Sequence, residues 1–372
     1  MTCTATVVDG RQARAAFNAV PWRVYTRDPN WVPPLPGEES QTFDPRRNPT
    51  LMGIDAQRWV VRRDGAPVAR IAAFSSSRWP AAGYFGYLES HDDPDAARTA
   101  LRAAEAWLAS RGCQEVHGPI DIIPRDRIGL LVEGFDRAPV LFTPYNPPYY
   151  ARLLEAAGYA AAIHLRAYAW VAGYQDPRHL LDLSERLGAH ARIRIRKIDP
   201  RRLRDETRIM AQLINTTLAH AWRWEPISET EADQLAELLR PIMAPDLALI
   251  AEDDDGPCGV ALGVPDANWW WQNAGGRLLP FGWARLLATR RRIPRARVMV
   301  LGVLPGRLQS GLAVRLIAEL IRGGERIGLE YVELSQIFAD NAAMDRVLDR
   351  LGFPVVRRYA VYSRTLAHEG AG

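Results

Sequence analysis

The chain has 372 residues, 48% of them hydrophobic and 24% charged, with a formal net charge of +4. That length exceeds one comfortable core and suits two domains of roughly 170–190 residues, while the lack of like-charge blocks and low-complexity tracts excludes disorder. Cys3, Cys113 and Cys258 are far apart and show no Cys-x-x-Cys or Cys/His spacing, which excludes a disulfide framework and a zinc site and fits a reducing compartment.

The first residues show no basic start followed by an apolar run, and a charged residue breaks every hydrophobic stretch short of a membrane span. The expectation is a cytoplasmic protein. A strand is predicted at Ala5–Val8 and a helix at Arg11–Val20 behind Asp9, followed by extended or turned chain over Asp28–Pro36. Asp64-Gly65 between Arg58–Arg62 and Val68–Ser75 is the strongest hairpin signal. Tyr84–Glu89 reads as a strand, and Asp95–Arg111 as an amphipathic helix with Leu101, Ala104, Trp107 and Leu108 on one face, stopped by Gly112. Strand Val116–Ile123, helix Pro148–Ala157 and strand His164–Val171 close the half, and Cys113 between helix and strand reads as a packed thiol.

Gln175–Arg178 reads as a linker, after which the pattern restarts. Arg192–Ile198 alternates as a strand with one wet face, Arg201–Ala221 is helical, and Leu247–Ala251 with Gly259–Val264 forms a hairpin across Asp253–Pro257. Val298–Val303 is an apolar strand, Leu312–Gly323 a helix, Tyr331–Leu334 a strand, Asn341–Leu351 a helix and Val355–Tyr362 the last strand. Both halves end in helix, Gly, aromatic, strand, at Ala157-Gly158-Tyr159 and Leu351-Gly352-Phe353. A duplicated α/β domain follows, with boundaries at 1–174 and 175–372.

The chemistry-bearing segment runs from Val298 to Ala313: a buried strand, a small-residue loop and a helix start in series. Backbone N–H groups at such a start, with Ser310 and Gly311 permitting close approach, make an anion cradle suited to a pyrophosphate, although many ordinary loops carry Gly and Ser.

That segment, with Tyr331–Leu334, Asn341 and Leu351-Gly352-Phe353, resembles the acyl-CoA site of the GNAT acetyltransferase superfamily. His117-Gly118-Pro119, Gly129–Phe135, Tyr145–Tyr150, Pro265–Asn268, Gly276–Trp283 and Asp340-Asn341 resemble a bacterial family of tandem GNAT proteins whose branches include the bacterial ceramide synthases. The resemblance runs from about Pro21 to Tyr362. It implies two tandem GNAT-like domains, each a mixed, mainly antiparallel sheet flanked by helices, with the N-terminal one degenerate. It also implies N-acyl transfer from acyl-CoA to an amine, a long-chain (sphingoid) amine by analogy with ceramide synthesis, with acyl-CoA as co-substrate and no permanently bound cofactor. Val303 and Leu304 would hold the pantetheine arm and polarise the thioester, and Arg307, Leu308, Gln309, Ser310, Gly311 and Ala313 the pyrophosphate. Leu308 stands where the superfamily usually has Arg or Gln, Leu348 where it often has Tyr, and Gln336 and Ala339 where the tandem family tends to have Trp and Glu.

Amine acylation needs a base to take the ammonium proton. Glu333, Asp340 and Asp266 are the carboxylates to weigh, against readings as a solvated edge residue for Glu333 and helix or loop caps for the other two. Asn341 serves equally as an N-cap or a hydrogen bond to cofactor or substrate, and Tyr359 or Tyr362 as proton donor to the thiolate or as core. His117 and His220 read as packed residues. Trp269, Trp270 and Trp271 near Arg290, Arg291, Arg292, Arg295 and Arg297 suit peripheral contact with an anionic inner-membrane surface; walling the interdomain cleft or an acyl pocket, beside a solvated Arg patch, is the alternative. No nucleic acid is expected. Competing functions are an acyl-CoA-binding, non-catalytic scaffold and an aminoacyl-tRNA-dependent transferase of the paired-GNAT type.

Overall fold

The computed structural model describes residues 2–35, 37–125, 127–188, 192–273 and 293–366; the Gly276–Trp283 motif and Arg290, Arg291 and Arg292 lie outside the described residues. The chain packs as two compact units, one running to Leu165 and completed by the chain from Arg357, the other spanning Arg166–Val356.

The first unit begins with β1 (Cys3–Val7), α1 (Gly10–Val24), α2 (Glu38–Thr42), β2 (Asp55–Arg63), β3 (Ala66–Ser75) and β4 (Ala82–Ser90). The four strands form an antiparallel meander, turned between β2 and β3 by Asp64 and Gly65 at φ 50° and 82°, the left-handed pair that a two-residue hairpin needs. Next come α3 (Pro94–Ser110), β5 (Glu115–Gly118), β6 (Leu130–Glu133), α4 (Tyr150–Ala156) and β7 (Ala160–Val171). Asp93 caps α3 by accepting from the N–H groups of Asp95 and Ala96, both at 3.1 Å, and Gly112 at φ 81° ends it. Ala97, Leu101, Ala104 and Leu108 of α3 join Val61, Ile71 and Val116 in one core. β5 runs parallel to β4 and stops before the predicted strand end at Ile123, because Pro119 has no N–H to continue a ladder.

The second unit takes the end of β7, then α5 (Arg178–Gly188), β8 (Arg194–Lys197), α6 (Leu203–Thr217), α7 (Glu229–Leu239), β9 (Ala248–Asp253), β10 (Gly256–Pro265) and α8 (Ala267–Asn273). β11 (Arg295–Val303), α9 (Leu312–Arg326), β12 (Tyr331–Phe338) and α10 (Ala342–Arg350) follow. Its strand order is β7-β12-β11-β10-β9-β8, with β8 to β11 antiparallel neighbours and β12 parallel to β11. Leu312, Leu316, Ile317 and Ile321 of α9 pack on Ala261, Ala296, Val298 and Leu334 of the sheet. β13 (Val355–Thr365) ends the described chain, and from Arg357 it lies in the first unit, antiparallel to β5 and β6. Each unit is thus a mixed, mainly antiparallel sheet in which one helix links two parallel strands: β4-α3-β5 in the first and β11-α9-β12 in the second.

Candidate acyl-thioester site

In the second unit the parallel strands separate. β11 and β12 pair only from Arg295↔Tyr331 to Val298↔Leu334, yet β11 continues to Val303 and β12 to Phe338. β11 keeps its antiparallel partner β10 as far as Gly259↔Val303, so β12 is the strand that leaves. A wedge opens above Val298 and Leu334, lined by backbone groups without a strand partner on that side. The carbonyl of Ser335, the first residue past the last pair, accepts from Nε and Nη2 of the buried Arg297 guanidinium at 3.1 and 2.9 Å. A strand carbonyl that separation would orphan is thereby satisfied.

Past β11 the chain makes the strand-loop-helix read from the sequence. Val303 is buried, and the Leu304 N–H donates to the Cys258 carbonyl at 3.0 Å, which ties that amide into the sheet. A 3-10 turn covers Pro305–Ser310, and Gly311 at φ 71° is the N-cap of α9. Ser310 Oγ donates to the Arg307 carbonyl at 2.6 Å and accepts from the Leu312 N–H at 3.3 Å, pinning the turn against the helix start. Arg307 reaches back to the β9–β10 turn, at 2.6 Å from Asp253 and 2.9 Å from Asp255, and its hydrogen bond, helped by its charge, holds the Asp253 carboxyl below the usual range. Burial and the Asp253 charge push the neighbouring Cys258 thiol up to about 11, so it stays protonated and inert. Leu308 and Gln309 are exposed on the turn, and Ala313 is partly buried in the first turn of α9. The helix start offers N–H donors and a positive dipole end to an anion.

Two of the three candidate carboxylates come together just below the wedge. Glu333 and Asp266 are both fully buried. Glu333 is the register partner of Arg297, and its Oε2 accepts from the Tyr331 hydroxyl at 3.1 Å. Asp266 lies 3.3 Å from Arg295 Nε, whose guanidinium stands over the Tyr331 ring at 5.2 Å. On one face of β11 and β12 the buried Glu333 therefore lies beside the buried Arg297 and the partly buried Arg295, and Glu333 is not the solvated edge residue that the bland reading held. Arg295 and Arg297 correspondingly do not form a solvated basic patch. Trp271 is buried, and Trp269 and Trp270 are partly buried.

The remaining candidates lie elsewhere. Asp340 is exposed in the turn after β12, and Asn341 caps α10 by accepting from the Met344 N–H at 3.1 Å. Tyr359 is fully buried in the first unit opposite Leu131, and Tyr362 donates to Glu155 at 3.3 Å. Leu348 is fully buried in the core of the second unit. His117 is buried 3.3 Å from Glu115, whereas His220 is exposed rather than packed.

The first unit does not open at the matching place. Past Tyr84↔His117, the Ile120 N–H donates to the Phe85 carbonyl at 2.7 Å and the Tyr87 N–H to Asp121 Oδ1 at 3.0 Å. Gly86 permits this approach, since a Cβ there would stand 2.2 Å from the Ile120 carbonyl oxygen. The same unit holds a residue that sequence reasoning missed: Glu89, at the end of β4, accepts from the hydroxyls of Tyr25 and Tyr150 at 2.8 and 2.7 Å. Burial raises its carboxyl to about 7. In the sequence it is a lone acid ending an apolar strand, and its tyrosine partners stand 64 and 61 positions away, beyond any local pattern.

No protein-family model matches the chain. It is 32% identical over 363 residues to Protein YghO of Escherichia coli (strain K12), across 94% of this chain and 92% of that protein. It is 30% identical over 366 residues to the Bacterial ceramide synthase of Caulobacter vibrioides, across 94% of each. Among solved structures it superposes on a tandem GNAT protein from the clavulanic acid biosynthesis pathway with a TM-score of 0.59 at 13% identity, covering 98% of this chain and 99% of that one. A GCN5-related N-acetyltransferase from Sphaerobacter thermophilus gives 0.54 at 16% identity, covering 97% and 96%. The fold is that of tandem GNAT proteins, and the chain belongs to the bacterial tandem GNAT-fold N-acyltransferase family that includes the bacterial ceramide synthase.

Proposed function

We propose that the protein moves an acyl group from acyl-CoA to an amine, with the thioester in the wedge between β11 and β12. The observation that carries this reading is the end of parallel pairing at Val298↔Leu334, with the rest of β11 leading to a 3-10 turn at Pro305–Ser310 and a glycine-capped helix start. An extended pantetheine arm supplies the amide partners that the separated strands lack, as an added strand does. Of the amides from Arg307 to Ala313, those of Arg307 and Leu312 donate to the Leu304 carbonyl at 2.8 Å and to Ser310 Oγ at 3.3 Å, and the others take the diphosphate at the positive end of the helix. Glu333 is one register step below the last strand pair, which makes it the carboxylate nearest the wedge along β12 and the first choice for the base that frees the amine. Asp266 then holds Arg295 in place rather than moving protons.

The relative named a bacterial ceramide synthase puts a long-chain amine first among acceptors to try. The test is CoA release from palmitoyl-CoA and from acetyl-CoA, each with sphinganine and with short amines. Release with palmitoyl-CoA and sphinganine supports the lipid branch, and release with acetyl-CoA and short amines supports transfer to another acceptor. Silence with every pair, despite measurable CoA binding, overturns the catalytic reading in favour of a binding protein. In the active case Glu333→Gln lowers kcat by about 10²–10⁴-fold and leaves CoA affinity unchanged.

A further inference from the structure

The start of the first unit concentrates positive charge that the fold does not use. Residues 1–27 hold Arg11, Arg14, Arg23 and Arg27 against a single acid, Asp9. The first three lie on α1 and Arg27 follows its end. All four are exposed, and none is ion-paired among the described residues. Elsewhere in the same unit Arg63, Arg70, Arg98, Arg111 and Arg127 each pair with an aspartate or glutamate. The next acids along the chain are already engaged: Asp28 accepts from the Tyr145 hydroxyl at 2.8 Å, Glu38 pairs with Arg127 and Glu39 with Arg70.

The same helix presents an aromatic ring among these cations. α1 buries Phe17, Val20 and Pro21, and the helical repeat puts Arg11, Ala15 and Trp22 in one exposed stripe on the opposite face, with Arg23 bordering it. Trp22 is 42% exposed and meets Trp31 edge-on with centroids 5.1 Å apart, while Trp31 lies flat on the buried Tyr25 at 5.0 Å. The surface indole is thereby braced by a fixed ring. Val7 just before α1 and Leu35 after it are exposed aliphatic side chains.

Uncompensated arginines call for an anionic partner, and exposed indole and aliphatic groups call for an apolar one. An anionic bilayer supplies both, since its phosphates meet the guanidinium groups and its headgroup boundary takes an amphipathic ring. A nucleic acid would stack on the indole but leave Val7 and Leu35 in water. We propose that the exposed face of α1, with Arg11, Trp22, Arg23 and Arg27, docks the first unit on an anionic lipid bilayer. This surface is distinct from the Trp269–Arg297 segment weighed from the sequence, and it does not depend on the acyl-transfer reading.

The test is co-flotation of the full chain with vesicles of equal parts phosphatidylglycerol and phosphatidylcholine, with pure phosphatidylcholine vesicles and a thymidine oligonucleotide as the other arms. The proposal expects flotation with the anionic vesicles only, weakening as salt rises. Each arginine near the surface contributes about fivefold, so Arg11→Gln with Arg23→Gln and Arg27→Gln weakens vesicle binding by about 100-fold. Trp22→Ala weakens it at every salt concentration, because burial of the indole is not screened. The substituted side chains are exposed, so an unchanged urea midpoint shows that each variant keeps its fold. No flotation with anionic vesicles, equal flotation with pure phosphatidylcholine, or a triple variant that floats as wild type does overturns the proposal. Oligonucleotide binding that the triple variant loses, with vesicles ignored, assigns the face to nucleic acid and overturns it as well.

Discussion

Gly311 joins the fold to the proposed diphosphate site, and its replacement by alanine has a cost with two separable parts. The residue sits at φ 71°, where an L side chain costs about 1–2 kcal/mol. Its Cβ would also stand 2.8 and 3.1 Å from the two terminal carbons of Leu187 on α5. Those atoms belong to a side chain that can rotate, so the crowding adds about 1–3 kcal/mol rather than more. Together, Gly311→Ala destabilises the second unit by about 2–5 kcal/mol, and each kcal/mol lowers the melting midpoint by about 2–4 °C in a domain of this size. Leu187→Ala removes the crowding and leaves the dihedral cost, so the double variant is less destabilised than the sum of the singles by about 1–3 kcal/mol. Urea unfolding of the four chains of the cycle measures this. Calorimetry on the same proteins reads function, because re-aiming the first amides of α9 weakens CoA by about tenfold or more. Strict additivity would refute the packing argument, and a Gly311→Ala chain with wild-type stability and CoA affinity would refute the reasoning as a whole.

Gly323→Ala on α9 puts a Cβ 2.1 Å from the Asp246 main-chain oxygen, which cannot rotate away, and costs about 3 kcal/mol or more by urea unfolding; Gly306→Ala, with open space around it, stays within about 0.5 kcal/mol. Arg70→Met strips the buried Glu39 of its ion pair and costs about 3–5 kcal/mol, most of it recovered in Arg70→Met with Glu39→Gln; recovery of nothing would show that the pair is not the cause. Burial lifts Glu89 from 4.5 to about 7, so between those values the folded chain keeps a proton that the unfolded chain has released. Stability from this group is greatest at the acid end, falls as pH rises to about 7 and levels above it. Glu89→Gln flattens that window, and identical pH profiles of the two chains would contradict the assignment.

Much of the fold is legible in the sequence because its signals are local. Asp64-Gly65 dictates a hairpin, Gly112 ends α3, and Asn341 and Gly352 bracket α10. What escaped was either overlooked or non-local. Helix α7 carries a capping box between Ser228 and Glu231, a sequence signal that was there to be read, and α5 begins where a linker was expected because Asp176 accepts from the Arg178 N–H at 3.0 Å. Strand β6 is four residues long and is held by the returning β13 across more than 200 positions, which no window on the sequence contains.

The site divides in the same way. The strand, turn and Gly311 follow one another in the chain, so their order predicts their place. The burial of Glu333 and Asp266 among Arg295, Arg297 and Tyr331 depends on register between three strands, and alternation alone cannot distinguish a buried ionic face from a solvated one. Tyr359 was grouped with the C-terminal elements by sequence position, whereas β13 carries it into the first unit.

The most direct test of the central claim is hydrogen exchange of the full chain with and without CoA. The account predicts slowed exchange at the amides of residues 306–313 and along 299–303 and 335–338, with β4 and β5 of the first unit unchanged. Protection confined to the first unit, or no protection at saturating CoA, would contradict a thioester site in the β11–β12 wedge.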